Sequence, residues 1–135
     1  MKPTAPVVKD STTLPPTGLY QLWIELTRPI SIQVGRLGRF RLQPRWYVYT
    51  GSAKRNLPAR VARHRRRSKT LRWHIDYLLA SRHAHIRRVL TRPWRAGGEC
   101  RWHRTTARAP RATIPVPGFG SSDCQCTAHL VFIGR

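Results

Sequence analysis

The sequence predicts an α+β domain in which a small, mainly antiparallel central sheet is flanked by helices. Three observations predict it. Aromatic and β-branched residues recur at period two in several short runs. Apolar residues in the middle of the chain recur at helical spacing. A length of 135 residues suits one domain with one hydrophobic core.

Taken in order, residues 1–16 (MKPTAPVVKDSTTLPP) are rich in Pro, Thr and Ser and read as a flexible tail before a domain over 17–135. Gly18 opens a strand in which Tyr20, Leu22, Ile24 and Leu26 fall on one face. ISIQV follows, then the Gly-punctuated turn GRLGRF and a short FRL, together a hairpin. WYVYT, 46–50, is a strand that Gly51 and Ser52 end. Asn56 is an N-cap candidate with Pro58 in the first turn, and Leu57, Val61 and His64 recur on one helical face. A second helix is predicted over 69–80 with Leu71, Ile75, Leu78 and Leu79 on its core side. HIRRVLT, 85–91, reads as a strand, Gly97 and Gly98 lead into a short helix holding Glu99 and Cys100, residues 107–123 read as loop, and AHLVFI, 128–133, is a final strand.

Charge bounds the partners. The chain has 26 Lys and Arg against five Asp and Glu, a formal net charge of +21. Most of the basic residues are Arg, whose planar fork of donors matches phosphate oxygens. Five Trp, four Tyr and three Phe place this charge on a folded body rather than on a disordered basic tail. Nucleic acid is the expected partner, DNA or RNA, and an anionic membrane surface is the rival polyanion. No apolar run approaches the roughly 20 residues of a membrane span, and the N-terminus lacks the apolar segment of a signal peptide. With three Cys, an odd number, the expectation is a cytoplasmic protein with free thiols, no membrane partner and no protein partner implied.

The acids are Asp10, Glu25, Asp76, Glu99 and Asp123. So few, so dispersed, do not build the converging carboxylates of two-metal phosphodiester cleavage. They leave room for a one-metal hydrolytic site: one carboxylate for Mg²⁺ or Mn²⁺, one Arg for the phosphate, and a Tyr or His handling the proton. The parts are present. Gly18-Leu19-Tyr20 opens the first strand, Tyr49-Thr50-Gly51 closes a later one, Arg60 and His64 share a helix face at i and i+4, and Glu99 begins a later helix.

In this order these motifs resemble the GIY-YIG nuclease superfamily. Gly18-Leu19-Tyr20 is similar to its first signature and Tyr49-Thr50-Gly51 to its second, with Thr50 replacing an aliphatic residue. The strings YVYTGSA, NLPARVARH, WHIDYLL, GEC and PGFGSSDCQC…HL resemble one branch more closely, a domain of unknown function (number 123) that occurs alone or, in some archaea, fused to endonuclease III. The resemblance covers about residues 17 to 133. The two signatures stand farther apart than in compact members, and the extra length is assigned to the hairpin ISIQVGRLGRFRL. The resemblance implies a metal-dependent endonuclease acting on DNA in repair or processing. Tyr20 and Tyr49 would position and activate water, Arg60 would stabilise charge on phosphorus, and Glu99 would hold a single Mg²⁺ or Mn²⁺. A non-catalytic DNA- or RNA-binding module with the same fold is the alternative.

Each candidate has a plainer reading. Tyr20 on an apolar face is ordinarily a core Tyr with its hydroxyl tied off, and Tyr49 can simply pair with Tyr47 on the same strand face. His64 either relays a proton near neutral pH or hydrogen-bonds a Tyr hydroxyl. Glu99 can compensate a helix dipole or be drawn into an Arg pair. His74 is a core His or lines the site, and Asp76 is expected to pair with a nearby Arg. Arg63, Arg65, Arg66 and Arg67, with Ser52 and Lys54, are the nucleic-acid-binding candidates, against a solvated helix face. The loop Gly118-Phe119-Gly120-Ser121-Ser122 either cradles a phosphate or is a tight turn. Cys124, Cys126 and His129 read C-x-C-x-x-H and would need Cys100 or His103 to complete a zinc site. Buried thiols near the last strand are the expectation there, and zinc is not expected.

Overall fold

The computed structural model describes residues 7–8, 14–121 and 126–134. Asp10, Ser122, Asp123 and Cys124 lie outside the described residues. The strands are β1 (Val7–Val8), β2 (Gly18–Leu26), β3 (Ile30–Val34), β4 (Gly38–Leu42), β5 (Trp46–Ala53), β6 (Ala84–Arg92) and β7 (Leu130–Gly134). The helices are α1 (Leu57–Arg65), α2 (His74–Leu79) and α3 (Gly98–Ala107). The central sheet runs β1-β6-β2-β5-β7 with every neighbouring pair antiparallel: four full strands and the two-residue β1 at one edge. This is the α+β architecture the sequence predicts.

β2 lies in the middle of the sheet and is buried on both faces. Tyr20, Leu22, Ile24 and Leu26 join Tyr47, Tyr49, Leu57, Val61, Ile75 and Leu78 in the main core. Leu19 on the other face packs with Leu90 and Trp102 of α3, with Trp23 beside them. Gln21 shares that side and donates to the hydroxyls of Thr50 (3.1 Å) and Thr106 (2.8 Å). Period-two reading finds only the first of these faces. The second exists because α3 covers it.

β3 and β4 form a separate two-stranded sheet joined by a 3₁₀ turn over Gly35–Leu37, the hairpin expected between the two Tyr signatures. Ile30, Val34 and Leu42 carry it into the main core.

Several boundaries differ from expectation. Within the segment expected as a tail, Val7–Val8 pairs with Val89–Leu90, and Pro16 O accepts from Leu57 N at 2.9 Å. β5 continues through Gly51 and Ser52 to Ala53, because each has a partner on β2: Gly51 opposite Tyr20, Ser52 opposite Leu19. α2 begins only at His74, so Leu71 is exposed rather than in the core. Asp76 sets that start by accepting from the backbone N–H of Arg72 (2.8 Å) and Trp73 (2.9 Å). Asn56 stands at the α1 N-cap in a left-handed conformation, φ 56°, which Asn tolerates, and makes no side-chain cap. α3 is ten residues long, and the Thr105 and Thr106 hydroxyls donate back to Arg101 O and Trp102 O within it.

Candidate functional site

Four elements meet at one cavity of about 170 Å³, lined by Tyr20, Tyr49, Ser52, Arg60, Trp73 and Glu99 among others. β2 supplies Tyr20, β5 supplies Tyr49 and Ser52, α1 supplies Arg60 and α3 supplies Glu99. The antiparallel register places Tyr20 directly across from Gly51. A side chain there would force Tyr20 to shift: a Cβ on Gly51 would stand 2.6 Å from Tyr20 Cζ and its hydroxyl oxygen. The glycine that ends the second signature is therefore the space into which the tyrosine of the first one fits.

Tyr20 is 1% exposed and its hydroxyl hydrogen-bonds His64 Nε2 at 2.8 Å. Of the two readings of His64, the structure contains the hydrogen bond to a Tyr hydroxyl. Burial pushes the His64 pKa down to about 3, so the ring is neutral near pH 7 and does not titrate there. Burial likewise raises Tyr20 to about 12, with Arg60 opposing the rise. Burial also lifts Tyr49 well above the ordinary phenol range. Tyr49 packs near Tyr20 (centroids 6.4 Å), His64 (6.1 Å) and Phe119 (6.3 Å). Both phenols are held neutral. They can orient a water or a phosphate oxygen, but neither is poised to become a tyrosinate on its own.

Arg60 is half-buried, as its apolar neighbours on α1 imply. Its Nη1 donates to Ser52 O at 3.2 Å, and its guanidinium lies 4.7 Å from the Trp73 ring centroid. Neither contact is a carboxylate, so the charge remains available to an anion entering the cavity. Trp73 was not legible as part of the site. Its role comes from packing across α1 and α2, and the only signal was an aromatic residue just before WHIDYLL's helix.

Glu99 stands in the first turn of α3, 31% exposed at its side chain. It accepts from Ser52 Oγ at 2.9 Å, and its Oε2 lies 3.4 Å from His129 Nδ1. The other two carboxylates of the described residues are held by Arg: Glu25 by Arg45 and Arg87 (3.0 Å each), Asp76 by Arg63. Glu99 instead has a hydroxyl and an imidazole beside it. A partly exposed carboxylate of this kind is a hard oxygen donor that suits Mg²⁺ or Mn²⁺ with waters completing the sphere.

The remaining candidates divide. Arg63 donates to both carboxylate oxygens of Asp76 (2.9 and 3.0 Å) and to Thr70 O, and stacks on Trp73. Asp76 thus pairs with an Arg as expected. Burial works to raise its pKa, but Arg63 and two backbone N–H groups outweigh that and hold it below the usual value. Arg67 donates to Ser81 O and Ala84 O. Arg63 therefore fastens α1, and Arg67 the segment after it, to their neighbours. Arg65 is half-buried and Arg66 exposed. Lys54 is exposed, with its ammonium 5.1 Å over the Trp94 ring, and Ser52 serves Glu99. His74 Nδ1 accepts from Gly120 N at 2.8 Å, a satisfied, half-buried His beside Phe119. The N–H groups of Gly118, Phe119 and Ser121 donate to Thr127 O, Val116 O and Gly118 O. From Gly118 to Ser121 the loop is a tight turn whose donors are already used, not a phosphate cradle. Cys100 and Cys126 are disulfide-bonded, where free thiols were expected.

The fold and this cavity define a small, strongly basic α+β domain with two buried phenols, an arginine and a lone carboxylate facing one space. The chain belongs to the family described as Domain of unknown function DUF123, whose model matches residues 19–135. No curated protein and no solved structure matches it. Among the described residues no helix is long and apolar enough to cross a membrane.

Proposed function

We propose that the chain is a metal-dependent endonuclease of the GIY-YIG type that hydrolyses phosphodiester bonds in DNA. The observation that carries this reading is the convergence of Tyr20, Tyr49, Arg60 and Glu99, from four separate elements, on one cavity. Composition does not require that convergence, and a solvated basic face would not produce it.

In this reading Glu99, steadied by Ser52, would hold one Mg²⁺ or Mn²⁺, which when bound would supply positive charge to the scissile phosphate. Arg60 binds the phosphate and stabilises the charge that builds on its oxygens. His64 fixes the direction of the Tyr20 hydroxyl, and Tyr20 with Tyr49 orients the attacking water in line with the phosphorus. The proton leaves to solvent or a phosphate oxygen, since burial keeps both phenols protonated and makes His64 a poor proton acceptor. DNA is reached through the surrounding positive field.

Purified chain is incubated with single-stranded and duplex DNA in Mg²⁺ or Mn²⁺. Cleavage is expected, falling by about a hundred- to a thousandfold in Glu99→Gln and in Arg60→Ala, with DNA binding retained in Glu99→Gln. Wild-type cleavage no faster than that of both variants refutes the nuclease. Tight, salt-sensitive binding with no cleavage in any metal would instead make the chain a binding module.

A further inference from the structure

We propose a second metal site, beside the first and chemically unlike it, in which Cys100, Cys126 and His129 hold a thiolate-bound divalent cation such as zinc. The three come from two places in the chain. Cys100 lies in the first turn of α3, and Cys126 and His129 lie on the segment entering β7. The ligand atoms of all three stand within 4.8 Å of one another. Cys100 Sγ is 3.5 Å from His129 Nε2. Zinc–sulfur and zinc–nitrogen bonds of about 2.3 and 2.1 Å at a tetrahedral angle put the two ligand atoms about 3.6 Å apart. That pair is therefore already at the spacing one ion would impose. The cysteine Cα atoms are 5.9 Å apart, so the two sulfurs reach one point without backbone movement.

The donor set also selects the ion. Two thiolates and an imidazole are soft ligands that prefer zinc over Mg²⁺ or Mn²⁺, whereas Glu99 is a hard one. His129 is 3% exposed and presents its two ring nitrogens to different partners. Nε2 faces the Cys100 sulfur, while Nδ1 faces Glu99 Oε2 at 3.4 Å. A carboxylate behind a metal-binding imidazole is the usual outer partner that sets the ring's orientation and raises its basicity. Glu99 thus stands between the two sites, offering one oxygen toward Ser52 and the other toward His129. The soft ion would fasten the first turn of α3, which carries Glu99, to the start of β7.

The disulfide and the metal are alternative states of one pair of sulfurs. A thiol reductant supplies two electrons and two protons to the Cys100–Cys126 bond and is itself oxidised to a disulfide. Each released thiol then loses its proton to solvent as its sulfur binds the cation. This site stands whether or not the neighbouring cavity cleaves DNA.

The test uses the full chain purified with a thiol reductant and titrated with Co²⁺, then with Zn²⁺. Expected are a near-ultraviolet thiolate-to-cobalt band that saturates at about one ion per chain, its loss on adding Zn²⁺, and its persistence in excess Mg²⁺. Cys100→Ser and Cys126→Ser are expected to remove the band. Reduced wild-type chain that binds no stoichiometric Co²⁺, or binds it without a thiolate band, overturns the proposal without depending on any variant's folding. So does a thiolate band that survives unchanged in folded Cys100→Ser.

Discussion

His64 is 1% exposed, one of its ring nitrogens serves the Tyr20 hydroxyl, and the other, Nδ1, has no hydrogen-bond partner among the described residues. Such a ring is tolerated neutral and penalised when charged. The unfolded chain binds the proton at about 6.5, the folded chain only at about 3. His64 therefore contributes nothing to lose above pH 6.5, and below it the unfolded state gains protons that the folded state refuses. Stability falls as pH drops from 6.5 toward 3. At pH 5 this one residue costs about 2 kcal/mol. His103, buried and pushed down to about 4, adds a loss of the same sign in nearly the same window. Urea unfolding at pH 7.5 and pH 5 should therefore show a smaller loss for His64→Gln than for wild type, by about 2 kcal/mol. At this scale the sequence was informative where a motif fixes spacing. That Tyr20, Tyr49, Arg60 and Glu99 belong together was legible, and the fold brings all four to one cavity. The choice between proton relay and hydrogen-bond partner for His64 was not, because it depends on burial that only the packed fold creates.

The pairing of β2 with β5 is the element on which the cavity depends. It aligns Tyr20 with Gly51 and Leu19 with Ser52, so that one strand pair delivers a phenol to one face and the hydroxyl serving Glu99 to the other. Gly51→Ala drives a methyl group to 2.6 Å from the Tyr20 ring. The expected cost is about 1–3 kcal/mol, the range for overpacking a tight core, and on the nuclease reading cleavage falls as the Tyr20 hydroxyl is displaced from His64. Thermal melting and a cleavage assay on the same preparation measure the two effects. The strands themselves were legible from alternation and from Gly and Pro punctuation. The burial of Gln21 was not, since a Gln on a strand reads as solvent-facing until α3 brings Thr106 against it. The late start of α2 was hidden for a related reason. Lys69 to Trp73 have acceptable helical spacing, but Asp76 captures the backbone of Arg72 and Trp73 and begins the helix after them.

Over the whole molecule the excess of Arg does two kinds of work. Arg63 fastens α1 and Arg67 the segment after it to their neighbours, and Arg45 and Arg87 hold Glu25. Arg55, Arg66, Arg95 and Arg101 are exposed, and Arg95 and Arg101 line a second cavity of about 330 Å³ with Arg92 and Trp102. Counting charges in the sequence overstates the basic surface free to meet a polyanion, because side chains spent on the fold contribute field but few direct contacts. On the proposed reading, affinity for DNA should therefore fall with salt along a log–log slope well short of the formal charge, on the order of −4 to −8 for four to nine phosphates contacted. Gel-shift or fluorescence titrations between 50 and 200 mM salt, about the range where such slopes are read, measure it. A slope near zero would remove DNA as the partner.

The distance along the chain between Tyr20 and Glu99 has a temporal meaning. β2 finds its partners at β5 and, far later in sequence, β6, while Glu99 follows only on α3. These are non-local pairings that close large loops before they are rewarded. A chain still emerging from synthesis can present its arginines to any polyanion long before α3 docks, yet the cavity does not exist until then. Attraction precedes assembly, and whatever the cavity does is withheld until the fold is complete.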